Sequence, residues 1–246
     1  MNGISGLCFA VCGLRMSSGP PRNNSEMKDS LRKASELARS GELAQSIMLV
    51  RAAAVRAPGA DRPDPNAVGM ALQLIEKEGR KKKEPLDFPG GSFRLVAIAN
   101  EKKGRNGKKQ MKSQYFPVQA GVAYFPDDET SSDDVEGVAI QTARIPVIGP
   151  IQFRGRFRFI PRFNKLEFNL YKLSFRPFGV LPVIDFNLKK AGSKDKEDSE
   201  VFKEEEQKKL PFFLFFLVEE DLVAARGRRG GWALWRLESK TVPPTI

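Results

Sequence analysis

Gln152-Phe153-Arg154-Gly155-Arg156-Phe157-Arg158-Phe159 alternates along its whole length. In an extended chain, successive side chains point to opposite faces. Phe153, Phe157 and Phe159 therefore share one face with Gly155, while Arg154, Arg156 and Arg158 share the other. The stretch reads as a strand with one face buried or turned to a ligand. The other face is wet or turned to an anion. Each phenylalanine taken singly has the plainer alternative of being ordinary core, and the arginines that of being a solvated outer face.

The next strand, 164–176, changes phase. Leu166, Phe168 and Leu170 share one parity; Tyr171, Leu173 and Phe175 share the other. A bulge between residues 170 and 171 reconciles them. The alternative is apolar material on both faces for part of the length, as when the outer wall of a closed barrel packs on N-terminal helices. Leu210-Pro211-Phe212-Phe213-Leu214-Phe215-Phe216-Leu217-Val218 does not alternate. Nine residues cross a bilayer only as one strand of a membrane barrel, and the neighbouring strands lack the lipid-facing band that this requires. The stretch is a strand covered on both faces, or one whose outer side touches lipid. Further strands are expected near 91–99, 113–124, 136–146, 151–160, 180–188 and 230–237, and the 220–226 stretch reads either way. About eight short strands with no long helical pattern between them describe an up-and-down barrel or a sandwich.

Before Phe88 the period is helical. Residues 26–56 repeat Met27, Leu31, Ala34 and Ala38, and Gly41 divides the segment, so a second helix carries Leu43, Ile47 and Val50. Residues 57–66 are a Pro-rich loop. Asn66 is the expected cap of a helix with Met70, Leu72 and Ile75, ending at Gly79. The Arg80-Lys81-Lys82-Lys83 cluster suits a helix C-terminus. The first acid is Glu26, and the preceding residues are Ser-rich, carry Arg15 and Arg22, and include an apolar run from Gly3 to Leu14. That run is too short for a transmembrane helix. The composition is that of an organelle transit peptide, with a secretory-type leader or a native terminus as alternatives. The division is then a targeting peptide at 1–25, a helical segment at 26–86 and a β-domain at 87–240. Its insertion at 189–209 holds seven lysines and seven acids, which reads as a mobile loop.

Composition excludes much chemistry. Of 246 residues none is histidine, which removes His-based triads, His-ligated zinc and imidazole acid–base catalysis. The two cysteines, Cys8 and Cys12, sit together near the start, so no four-Cys metal site exists. No GxxxxGK[ST] loop is present, and Gly227-Arg228-Arg229-Gly230-Gly231 opens no helix. No catalytic constellation, metal site or cofactor motif stands out. The net charge is +11. Residues 76–112 carry twelve Lys/Arg against five acids, and residues 144–176 eight against one. Such stretches call for an anionic partner, or serve solubility alone. Phe and Arg on opposite faces at 152–159 argue against the stacking platforms of single-strand nucleic-acid binders, so no nucleic-acid partner is expected and a basic nucleic-acid-binding β-domain stays the lesser alternative.

The C-terminal stretch is the most specific. Pro211-Phe212-Phe213, then Val218-Glu219-Glu220-Asp221-Leu222-Val223-Ala224-Ala225-Arg226-Gly227, then Gly230-Gly231-Trp232-Ala233-Leu234-Trp235-Arg236 resembles the closing motif of the plastid lipid-associated protein/fibrillin family. Leu74-Ile75-Glu76, then Phe88-Pro89-Gly90-Gly91-Ser92-Phe93-Arg94-Leu95 resembles its opening, with Phe93 where the family usually has tryptophan. Gly149-Pro150-Ile151 and Lys165-Leu166-Glu167-Phe168 resemble its middle. The resemblance spans residues 66 to 238. It implies a mainly β, lipocalin-like antiparallel β-barrel with N-terminal helices. It also implies a plastid location on thylakoids or plastoglobules, handling of prenyl-lipids, carotenoids or similar molecules, and no catalysis. On this reading Phe153, Phe157, Phe159, Phe168, Phe213 and Phe215 line a calyx, and a basic surface holds it at an anionic membrane or lipid globule. Arg226 closes one barrel end over Trp232 or Trp235, or pairs with Asp221; its alternative is a lipid head-group contact. A rival reading is a peripheral coat protein with a filled barrel and no ligand.

Overall fold

The period-two patterning resolves into ten strands among the described residues of the structure, a computed structural model. The residues described are 43–55, 61–82, 84–103, 109–127, 134–188 and 210–240. The expected leader at 1–25, the first helix of the 26–56 segment and the charged loop at 189–209 lie outside them. The strands are β1 (Gly91–Lys103), β2 (Lys109–Tyr115), β3 (Gln119–Pro126), β4 (Val135–Ile145), β5 (Gly149–Ile160), β6 (Lys165–Phe175), β7 (Ile184–Asn187), β8 (Phe212–Val218), β9 (Leu222–Gly227) and β10 (Trp232–Ser239). Among the described residues two helices precede them, α1 (Leu43–Val55) and α2 (Pro65–Lys82).

The hydrogen-bonded order is β10-β9-β8-β6-β5-β4-β3-β1, and β1 pairs back onto β10. Eight antiparallel strands thus close an up-and-down barrel of the lipocalin kind. β2 and β7 are side branches on β1 and β6. The expected single strand at 113–124 is two strands. β1 is long enough to take two successive partners: its first residues pair with β3 and Ala97 to Lys103 pair with β2. The chain steps from one to the other through Phe116-Pro117-Val118, where Phe116 N donates to Val96 O at 2.9 Å. The 220–226 stretch is a strand, and the 180–188 strand is confined to β7.

The phase change in β6 is a bulge. Gly155 faces Leu170 and Arg154 faces Lys172, so Tyr171 is passed over. A Cβ on Gly155 would lie 1.9 Å from the Asn169 carbonyl oxygen, so only glycine fits opposite the bulge. β8 carries a second bulge: Phe215 faces Ala225, Leu217 faces Ala224, and Phe216 is the extra residue. Phe213, Phe215 and Val218 then belong to the interior cluster, while Phe216 and Leu217 pack in the cluster under the helices. The non-alternating run is therefore covered on both faces where α2 crosses it.

The helices form a second core outside the barrel. Leu49, Val50, Ala53 and Ala54 of α1 meet Ala67, Val68, Ala71, Leu72 and Ile75 of α2, and both press on Val96, Leu222, Ala224, Trp232 and Leu234 of the barrel wall. Alanines let the helices approach closely, and each fully buried Leu or Val contributes about 1.5–3 kcal/mol as an upper bound. Two sequence expectations for α2 change. Its cap is Asp64, whose carboxylate accepts the Ala67 N–H at 2.9 Å, with Pro65 in the first turn. Asn66 instead accepts from Ser113 N at 3.0 Å, tying the helix to β2. The helix also runs through Gly79 to Lys82, because Gly79 lies against β8, where a Cβ would be 3.3 Å from the Phe216 carbonyl oxygen.

Candidate functional site

The barrel interior is apolar, and its two halves differ. At the end where β5 turns into β6, residues 84–90 cross the opening. The crossing is held by Asn164, a left-handed residue (φ 50°) ending the Pro161–Phe163 turn. Its side-chain carbonyl accepts from Leu86 N at 2.8 Å, and its amide donates to Glu84 O at 3.0 Å. Phe88 is thereby inserted among the barrel phenylalanines, stacked on Phe157 at 5.1 Å between ring centres and tilted on Phe159 at 5.4 Å. Tyr124 meets Phe157 edge-on at 5.6 Å, and Phe159 meets Phe215 at 6.3 Å. Phe93, Leu166, Val223 and Trp235 complete this packed floor.

Toward the other end, where β4 turns into β5, the inward side chains are only half-buried. Leu95, Val122, Leu170, Phe213 and Ala233 lean on the floor from above. Phe153, Ile151 and Leu173 continue the inward parity and are also half-buried. Gln141 faces Phe153 on one side and Val122 on the other, which places a polar group on this wall. A second polar group lies deeper. The Tyr124 hydroxyl is buried with no hydrogen-bond partner among the described residues, and burial pushes the phenol well above its ordinary pKa.

All six expected lining phenylalanines lie on the inward side, but they divide between the two halves. Phe157 and Phe159 are 0% exposed, and Phe168 and Phe215 are buried beside them, so these four build the floor. Phe153 and Phe213 belong to the half-buried wall. Phe213 links the two, stacked on Phe168 at 5.4 Å and edge-on to Trp235 at 5.2 Å. The reason is the crossing strap: Phe88 fills space that strand parity alone leaves open.

The expected closure by Arg226 is corrected in two of its partners. Trp235 faces the interior, whereas Arg226 sits outside, 5.2 Å from the Trp232 ring. Asp221 lies in the exposed β8–β9 turn, where its backbone carbonyl accepts from Leu237 N. Arg226 pairs instead with Glu76 of α2 at 3.3 Å. Glu76 is nearly buried and also accepts from Trp232 Nε1 at 2.6 Å and Arg80 at 2.6 Å. This hub fastens α2 to the barrel wall rather than sealing a barrel end. Sequence reasoning missed it; the available signal was an acid four residues before Arg80 on the apolar side of a helix.

The arginine face of β5 is largely neutralised. Arg156 pairs with Asp127, and Arg158 with Glu167 at 2.8 Å. Glu167 also accepts from Lys165 at 2.5 Å. Burial works to raise the Glu167 carboxyl, but hydrogen bonds from Lys165 and Arg158 outweigh it and hold the pKa below its ordinary value. Arg154 alone of the three is exposed.

Comparison with known protein families, curated proteins and solved structures returns no match to this chain.

Proposed function

We propose that the chain binds a small hydrophobic molecule in the open half of its barrel while resting on a lipid surface. The family resemblance puts this in the plastid, on thylakoids or plastoglobules, with a prenyl-lipid or carotenoid as cargo and no catalysis. The observation that carries the reading is the half-buried apolar wall of Leu95, Val122, Phe153, Leu170 and Phe213 above a filled aromatic floor. A pocket of this kind takes an apolar ligand by removing its surface from water, at about 25 cal/mol per Å². Gln141 and the Tyr124 hydroxyl, unpaired among the described residues, are available to orient a polar end. The floor limits the depth of entry, so a long ligand keeps part of its length outside the barrel.

Mass spectrometry of lipids extracted from the purified protein tests this. A prenyl-quinone or carotenoid near one per chain, lost in Phe153→Glu, is the expected result. The filled floor favours one rival, a coat protein without cargo. Empty protein that still floats with lipid vesicles decides for that rival.

A further inference from the structure

Eight of the eleven exposed large apolar side chains among the described residues lie at 147–148 and 178–188. Scattered exposed leucines need no explanation, but a patch confined to one end of a molecule does. Val147 is 83% exposed, Phe178 67% and Val180 83%, with Ile148, Leu181 and Phe186 beside them. Two connections build the patch: the turn between β4 and β5, and the segment between β6 and β7. They are laced together, Phe178 N donating to Ile148 O at 2.8 Å and Arg176 N to Pro150 O at 3.1 Å.

The turn chemistry is unusual. Val147 and Phe178 hold φ of 68° and 52°, a region costly for a β-branched or bulky residue. Asn or Gly satisfies such a turn without strain. Here the left-handed positions carry apolar side chains aimed away from the protein.

Cations border the patch. Arg144 and Arg176 flank its two segments in the chain, and neither forms an ion pair among the described residues. The acid nearby, Asp185, is already engaged by Lys172 at 2.7 Å and by the Ser174 hydroxyl at 2.6 Å. Arg144 also lines a groove of about 620 Å³ that runs between Val118, Val147 and Phe178 at the base of the patch. A second copy of the chain fits poorly, because a two-fold contact through this tip would bring two like-charged rims of Arg144 and Arg176 together. A layer of anionic lipid offers both what the apolar tip lacks and what the cations lack.

We propose that this end of the barrel is a lipid-inserting tip. Val147, Phe178 and Val180 enter the acyl region of an anionic lipid layer. Arg144 and Arg176 stand at the phosphate level, with the groove beside Arg144 receiving a head group. The tip lies at the half-buried end of the interior, so docking turns the barrel mouth toward the lipid, where an apolar cargo enters without crossing water. The proposal rests on the lipid-surface part of the function above and not on the cargo.

Flotation of the full chain with vesicles tests it, using phosphatidylcholine alone or mixed with phosphatidylglycerol. Wild type is expected to float with the mixed vesicles. The triple variant Val147→Ser/Phe178→Ser/Val180→Ser is expected to lose about 100-fold in partitioning. Arg144→Ala/Arg176→Ala is expected to lose about tenfold on the anionic vesicles at low salt and nothing on the neutral ones. The triple variant should keep the wild-type unfolding midpoint, since Val147, Phe178 and Val180 are exposed, and the arginine variant should stay close to it, with Arg144 exposed and Arg176 half-buried. As a check on insertion in folded protein, Phe178→Trp should be quenched by lipids brominated on the acyl chain. Wild type that binds no vesicle overturns both the tip and the lipid-surface reading. Wild type and triple variant that float equally, or a Phe178→Trp left unquenched, overturn the tip alone. A wild-type dimer that dissociates in the triple variant overturns it in favour of a second copy.

Discussion

The two ends of the barrel are both rich in apolar side chains and use them in opposite ways. At the β5–β6 end the strap of residues 84–90 folds across the opening, and Phe88 locks Phe157 and Phe159 into a dry stack. At the β4–β5 end the connections project outward and leave Val147, Phe178 and Val180 in solvent. An apolar residue therefore becomes core or contact surface according to whether another piece of chain covers it. Composition makes no such distinction. The first end is covered by its own chain, and among the described residues the second is left bare.

Substitutions can break this contrast. Phe157→Ala at the dry end should cost about 3–5 kcal/mol in denaturant unfolding. If half-buried Phe153→Ala costs as much, the distinction between floor and wall fails. Glu76→Ala comes next, at about 2–3 kcal/mol, because it leaves the Trp232 N–H without its acceptor at the helix–barrel seam. Phe88→Ala should cost about 1–3 kcal/mol and increase binding of an apolar dye, since it unplugs the closed end. Unchanged dye binding would mean that the strap does not keep that end dry. Acid sharpens the contrast further. The Glu167 carboxyl is held below its ordinary value near 4.5. Its stabilising effect is therefore present above that value and is lost as pH falls through the lowered folded value. Glu167→Gln should flatten this acid limb of the stability curve, followed as unfolding midpoint against pH. The smallest effect is at Tyr124. Removing a buried hydroxyl that is unpaired among the described residues, in Tyr124→Phe, should leave empty protein unchanged or slightly more stable, while weakening any cargo that accepts a hydrogen bond there.

Much of the barrel was legible because strand faces are written with period two. The parity of Phe153, Phe157 and Phe159 is seen as inward, and the mismatch in 164–176 is the bulge at Tyr171. The β2–β3 break was missed in 113–124, although Pro117 marks it, and the length of β1 gives the two halves separate partners. The cap of α2 misled for a different reason. Asp64 and Asn66 are both good capping residues, and the choice was made by Ser113 of β2, which engages Asn66. Arg226 was picked out from its motif, but its true partner Glu76 is 150 residues away and no local pattern joins them.

The sequence alone settled which residues alternate, where the helical period gives way to the strand period, and that no imidazole chemistry is available. These follow from local backbone geometry, which each residue carries with it. The tertiary structure decided that four of six inward phenylalanines are buried floor, that Arg226 binds a helix rather than a barrel end, and that the bare apolar side chains gather at one tip. Those outcomes depend on which distant segments close over which surfaces. Burial is a property of pairs of segments, and a single strand's pattern records only one member of each pair.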